Sequence, residues 1–179
     1  MHTAEHPPVR VVFVCTGNIC RSPMAEVVLR RLADDAGYGQ RLVVTSAGTG
    51  DWHVGGGADP RTIDALARRG YDGAAHRAQQ VADDIFDRND LVVALDAGHA
   101  RMLRALTRSE AEARKITSLM AYAENASTTD VPDPYQAGPE AFDDVLAMIE
   151  DATRALFLRL EPDLAGGPPS ATVPPGASS

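Results

Sequence analysis

The sequence predicts an α/β protein: a single domain built on an open four-stranded parallel sheet with helices on both faces. Three observations carry this expectation. Four short β-rich runs, Val9–Val14, Leu42–Thr45, Leu91–Leu95 and Ile116–Leu119, alternate with helical patterns, as parallel strands joined by crossover helices require. Apart from Arg10, the first and third runs are apolar, which suits strands covered on both sides. With 179 residues, 44% hydrophobic and 23% charged, the chain has the size and composition of one globular domain.

After the first run comes a loop, and then a helix whose face is Ala25, Val28, Leu29, Leu32 and Ala36. Ser22 is its expected N-cap, Pro23 suits the first turn and Gly37 the stop. A second helix is expected over Pro60 to Arg69, ending at Gly70, and a shorter one over Val81 to Phe86. Met102, Leu103 and Leu106 mark another over Gly98 to Leu106. The longest starts after Gly138-Pro139 and runs through Phe142, Val145, Leu146, Ile149 and Leu156 to Leu160. Residues 121–136 lack periodicity, and a loop of that length in a compact domain is more often functional than idle. Residues 1–8 read as a flexible N-terminus, and 161–179, with five prolines and three glycines, as a disordered tail.

Composition narrows the function. A net charge of −8 argues against nucleic acid or an anionic membrane as a general partner. No apolar stretch approaches the roughly 20 residues of a membrane span, and no signal peptide is visible, so the expectation is a cytoplasmic protein. Two cysteines, both in one loop, give neither a disulfide framework nor a metal cage, so no metal and no cofactor are expected.

The chemistry concentrates in Cys15-Thr16-Gly17-Asn18-Ile19-Cys20-Arg21, followed by Ser22-Pro23. Strand, short loop and helix start, in that order, place backbone N–H groups around a concavity, with a helix N-terminus behind it. Such a cradle binds phosphate-like dianions. A thiol at its entrance and a guanidinium at its end make it a candidate phosphoryl-transfer site, at the carboxyl end of a sheet strand where ligands bind in such folds. Cys-x5-Arg alone is weak evidence, because all but one of the 17 basic residues are arginine. Its context raises the weight: Gly17 permits the dihedrals of a loop wrapping an oxyanion, Asn18 can hold a strained turn, and Ser22 puts a hydroxyl near the thiol. Asp130 and Asp133 in the aperiodic loop are rival carboxylates, and Asp130 reads as a solvated one. His53 and His99 read as ordinary surface residues, and Trp52, flanked by Asp51, His53 and nearby glycines, as part of an exposed loop.

The run Val14 to Glu26 resembles the active-site loop of the low-molecular-weight protein tyrosine phosphatases. The resemblance extends through Thr45-Ser46-Ala47-Gly48-Thr49, Gly70-Tyr71, His76-Arg77-Ala78, Val92 to Asp96 and Asp133-Pro134-Tyr135, with Gly50-Asp51-Trp52-His53-Val54-Gly55 pointing to the bacterial branch. It covers residues 9–160 and implies a phosphatase domain there, with a flavodoxin-like sheet of strand order 2-1-3-4. It further implies hydrolysis of phosphotyrosine and other aryl phosphate monoesters through a phosphocysteine intermediate, without metal. Cys15 would be the nucleophile, Arg21 the phosphate fork and Asp133 the general acid. Thr16, Gly17, Asn18, Ile19, Cys20, Ser22, Trp52 and Tyr135 would bind substrate, with phosphate or sulfate in the loop. Asn18, Ser22, Ser46 and His76 would form a hydrogen-bond network supporting that loop, and Asp96 would orient Arg21. Cys20 reads either as a small apolar residue filling space or as a thiol that pairs reversibly with the nucleophile under peroxide. The implied partners are phosphotyrosine proteins, a bacterial tyrosine kinase among them, and the enzyme would be a monomer. Gln136 stands where many relatives carry a second aromatic.

Two rivals compete. An arsenate reductase of the same fold relays a disulfide through further cysteines, and none follows Cys20. A non-catalytic phospho-ligand module would have no use for thiol, arginine and acid together.

Overall fold

The computed structural model describes residues 6–166. Expectations for residues 1–5 and 167–179, including most of the tail, lie outside the described residues. The elements, in chain order, are β1 (Val9–Cys15), α1 (Arg21–Asp35), β2 (Leu42–Gly48), α2 (Pro60–Arg68), α3 (Ile85–Arg88), β3 (Leu91–Ala94), α4 (Ala97–Leu106), α5 (Glu110–Ala113), β4 (Ile116–Ser118), a 3-10 turn (Leu119–Tyr122) and α6 (Pro139–Leu164). The four strands form one parallel sheet of order β2-β1-β3-β4, as expected.

Alternation along the central strand builds two cores. Val11, Phe13 and Cys15 face one side with Leu29 of α1 and Phe142, Leu146 and Ile149 of α6. Val12 and Val14 face the other with Phe86, Val92 and Leu103. Helices therefore cover both faces, which is why β1 and β3 carry no polar residue at any buried position. Phe13 and Phe142 are fully buried, and truncating either to alanine should cost about 3–5 kcal/mol.

Three boundaries differ from expectation. α1 begins at Arg21 with Cys20 at the N-cap position and no side-chain cap, so Ser22 lies inside the helix; its hydroxyl serves the loop instead. The short helix starts at Ile85 rather than Val81, because Val81 N–H is taken by Gly48 O at 2.8 Å and Gln80 bridges Gly48. α6 continues past 160 to Leu164, with Pro162 inside its last turn, and Gly166 with φ 91° follows the Ala165 cap. That late position limits the damage a proline does, since few hydrogen bonds remain to be lost.

Parallel pairing brings the carboxyl ends of β1, β2 and β3 to one edge. Cys15 ends β1, Gly48 ends β2 opposite it, and Asp96 follows β3. The sheet thus delivers three chain segments to one point.

Candidate active site

The loop from Cys15 to Arg21 is an anion cradle by peptide geometry. Four of its carbonyls are engaged outward: Cys15 O accepts from Thr49 N (2.8 Å), Thr16 O from Gly50 N (3.0 Å), Asn18 O from His76 Nε2 (2.6 Å) and Ile19 O from Asp59 N (2.9 Å). In a trans peptide the next N–H points opposite to the carbonyl, and no described peptide is cis. The amides of Thr16, Gly17, Ile19 and Cys20 therefore turn inward. Behind them α1 starts without a capping side chain or an acidic residue in its first turn, which leaves its positive end for an anion.

Asn18 is the keystone. It has φ 56° and is fully buried, a left-handed conformation that a non-glycine residue holds only when its surroundings dictate it. Its Oδ1 accepts from Gln79 N (2.9 Å), which fixes Nδ2 as the donor end, and Nδ2 donates to Ser22 Oγ (2.8 Å) and Ser46 Oγ (2.9 Å). With Ser22 Oγ accepting from Asn18, its own proton is free to reach Cys15 Sγ, 2.8 Å away. Ser46 in turn donates to Glu26 Oε2, which also stands 3.6 Å from His76 Nδ1. Burial works against the Glu26 carboxylate, but His76, Ser46 and Arg30 outweigh it and hold its pKa below the ordinary 4.5. Gly48 closes the wall: a Cβ there would sit 2.8 Å from Thr16 O and 3.1 Å from Asn18 N, so only glycine fits.

Arg21 is buried, and each end of its fork is held. Nη1 donates to Asp96 Oδ2 (2.9 Å) and Val131 O (3.0 Å), and Nη2 to Thr16 Oγ1 (3.4 Å). Asp96 caps α4 by accepting from His99 N at 2.9 Å. Burial opposes its ionisation, yet the His99 amide, the His99 ring and Arg21 keep its pKa below the ordinary 3.8.

A cleft of about 180 Å³ opens over the loop, lined by Cys15, Thr16, Gly17, Ile19, Cys20, Arg21, Trp52, His53, Asp133 and Tyr135. Asp133 Oδ2 lies 3.6 Å from Arg21 Nη2, and Tyr135 N donates back to Asp133 Oδ1 (3.1 Å). Trp52 is 71% exposed and Tyr135 43%, so both form the rim rather than the core. The Cys20 thiol is pushed up to about 12, first by burial and then by Asp59.

The structure brings Cys15, Arg21, Asp133, Trp52 and Tyr135 to one cleft, with Ser46 and His76 hydrogen-bonded to Asn18 and Asp96 to Arg21 beside it. Asn18 and Ser22 are fully buried and hydrogen-bonded to each other, so their side chains brace the loop and do not line the cleft. Two histidines were misjudged. His53 lines the cleft, its ring 6.5 Å from that of Tyr135, and His99 is buried 2.9 Å from Thr16 Oγ1. Asp130 is no idle carboxylate either: its Oδ1 accepts from Ala97 N at 2.9 Å at the start of α4.

Two supports escaped sequence reasoning altogether. Glu26 falls within the matched run but shows its role only once Ser46 and His76 are near. Arg61 is anchored on Asp59 and donates to Tyr135 O and Ala137 O, both at 3.1 Å, bolting the acid-bearing loop to α2. The proximity of Arg61 holds the Asp59 pKa below 3.8.

Residues 10–165 match the family model described as low molecular weight phosphotyrosine protein phosphatase. The low molecular weight protein-tyrosine-phosphatase of Streptomyces coelicolor is 50% identical over 159 residues, covering 88% of this chain and 96% of the relative. The crystal structure of YfkJ from Bacillus subtilis superposes with a TM-score of 0.82 at 33% identity, over 89% of this chain and 99% of that one. Wzb of Vibrio vulnificus, solved in complex with benzylphosphonate, superposes with a TM-score of 0.73 at 28% identity, over 85% and 99%.

Proposed function

The chain belongs to the low molecular weight phosphotyrosine protein phosphatase family and is a protein-tyrosine phosphatase, and from that premise we propose how its residues divide the chemistry. Cys15 Sγ attacks phosphorus in line with the leaving phenolate, forming the S–P bond as the P–O bond breaks. The Asp133 carboxyl gives its proton to that oxygen. In the second step the Asp133 carboxylate takes a proton from water, the water oxygen attacks phosphorus, and the sulfur departs as thiolate with the Ser22 hydroxyl donating to it. Arg21 and the inward amides hold the equatorial oxygens throughout, so the moving charge meets fixed dipoles.

One observation carries this assignment: Asp133, more than 110 residues after the Cys15–Arg21 loop, lines the same cleft as Cys15 and Arg21. The rim supports an aryl substrate. Trp52 and Tyr135 line the cleft with the Cys15 loop and would flank a phenyl ring, favouring an aryl phosphate over phosphoserine. The benzylphosphonate bound by the Wzb relative has the same aryl shape. Phosphotyrosine proteins, including a bacterial tyrosine kinase, are the substrates this reading names. It also takes the enzyme as a cytoplasmic monomer, in keeping with two free thiols; no described helix is long and apolar enough to cross a membrane.

Hydrolysis of para-nitrophenyl phosphate in the presence of a chelator tests the reading. Cys15→Ser should abolish it, and Arg21→Lys and Asp133→Ala should reduce it strongly. Turnover in Cys15→Ser, or a requirement for added metal, would refute it.

A further inference from the structure

His99 sits in the first turn of α4, buried, and no step above uses it. Its Nε2 lies 2.9 Å from Thr16 Oγ1 and its Nδ1 lies 3.2 Å from Asp96 Oδ1, off the line of a hydrogen bond. Thr16 and Asp96 are the two side chains that hold the two terminal nitrogens of Arg21. One imidazole therefore spans both supports of the guanidinium.

The proton positions follow from the neighbours. A lone pair on Nδ1 would face the Asp96 carboxylate and be repelled, so Nδ1 carries the proton. Nε2 is then an acceptor and takes the Thr16 hydroxyl proton. With its proton committed to His99, Thr16 Oγ1 turns lone pairs toward Arg21 Nη2, 3.4 Å away. The charged groups around the ring are Asp96, Arg21, Asp133 and Asp130. Burial outweighs the three carboxylates and draws the imidazole down to about 4, so it is neutral near pH 7 and the acceptor at Nε2 is available.

We propose that His99 is a positioning residue for anion binding: by accepting the Thr16 hydroxyl proton at Nε2, it sets the Arg21 fork to receive phosphate. The inference rests on the reading of Arg21 as the anion-binding residue. A ring that merely filled space would be replaceable by any apolar side chain of similar volume, whereas a positioning ring is replaceable only by another acceptor.

Inorganic phosphate is the probe, measured as a competitive inhibitor of para-nitrophenyl phosphate hydrolysis and by calorimetry on Cys15→Ser protein. His99→Leu should weaken phosphate binding about tenfold, the scale of one well-placed hydrogen bond. His99→Gln, which offers an acceptor oxygen, should recover most of that loss. Thr16→Val should match His99→Leu, and the double variant should be no worse than the poorer single one. Phosphate affinity within about twofold of wild type in folded His99→Leu, equal losses for Leu and Gln, or additive losses in the double variant would overturn the proposal. Should His99→Leu fail to fold, Thr16→Val decides, since unchanged phosphate affinity there is equally fatal. Failure of the underlying reading would look different: Arg21→Lys would bind inorganic phosphate as tightly as wild type, whatever the His99 variants do.

Discussion

Asp133 Oδ2 and Arg21 Nη2 stand 3.6 Å apart across the mouth of the cradle. With the roles proposed above, the acid and the anion anchor share the space that a phosphoryl group would occupy. A carboxylate there competes with the ligand for the same guanidinium. Asp133→Asn removes both the proton donor and the competing charge. Its kcat on an aryl phosphate should fall about 100-fold or more, while inorganic phosphate should bind as tightly as to wild type, or more tightly. Steady-state kinetics with phosphate inhibition separates the two effects; parallel loss of both would mean Asp133 acts in binding.

Ser22 receives a hydrogen bond from Asn18 and turns its own proton to Cys15. Ser22→Ala should slow breakdown of the phosphocysteine more than its formation, because the departing sulfur loses its donor. A drop of about 10- to 100-fold in kcat is the scale of a hydrogen bond to a charged group. Rapid-quench experiments should then show a larger burst of phenol than wild type gives.

Arg61 ties the Asp133 loop to α2 through Tyr135 O and Ala137 O, and its guanidinium lies 4.4 Å from the Phe142 ring centroid. Arg61→Ala should loosen residues 133–137, seen as faster amide hydrogen exchange there, and lower kcat several-fold with little change in phosphate affinity. Unchanged exchange in this segment would show that the loop needs no such tether.

Cys20, pushed up to about 12, is a thiol rather than a thiolate at neutral pH. Alkylation at pH 7 should therefore mark Cys15 and spare Cys20 in peptide mass spectra. If peroxide converts Cys15 to a sulfenic acid, closure onto Cys20 yields a disulfide and water, and should quicken as pH rises. Cys20→Ser should lose the reductant-recoverable fraction; equal recovery in both proteins would remove the redox role.

Stability should report on His99 as well. Its pKa falls from the ordinary 6.5 to about 4 on folding. Between those values the unfolded chain binds a proton that the folded one refuses, so stability is lost as pH drops from 6.5 toward 4. The contribution is on the order of a few kcal/mol. Denaturant melts of His99→Gln should show a flatter decline across that window than wild type.

Much of this was legible beforehand, for physical reasons that differ by residue. Val11 to Val14 is apolar on both faces, which only a covered parallel strand explains, and the loop after it announces itself through Gly17, Arg21 and Pro23. His99 gave no such cue. It lies among Gly98, Ala100 and Arg101, and its burial comes from α4 packing against a loop more than 80 residues earlier in the chain. Glu26 reads as an exposed helical carboxylate until Ser46 and His76 close over it. Arg61 is one arginine among many, distinguished only by the carbonyls it reaches. Val81 fits a helix or an extended edge equally well as a partly buried apolar residue, and the Gly48 carbonyl makes the choice.

Gly48 and the outward carbonyls line much of the site's floor with main chain, whereas the Trp52 and Tyr135 side chains project from the surface. Selectivity and reactivity are consequently separable inheritances. A lineage can trade the ring at 52 or 135, or the glutamine at 136, and acquire new clients while the hydrolytic engine beneath runs unaltered.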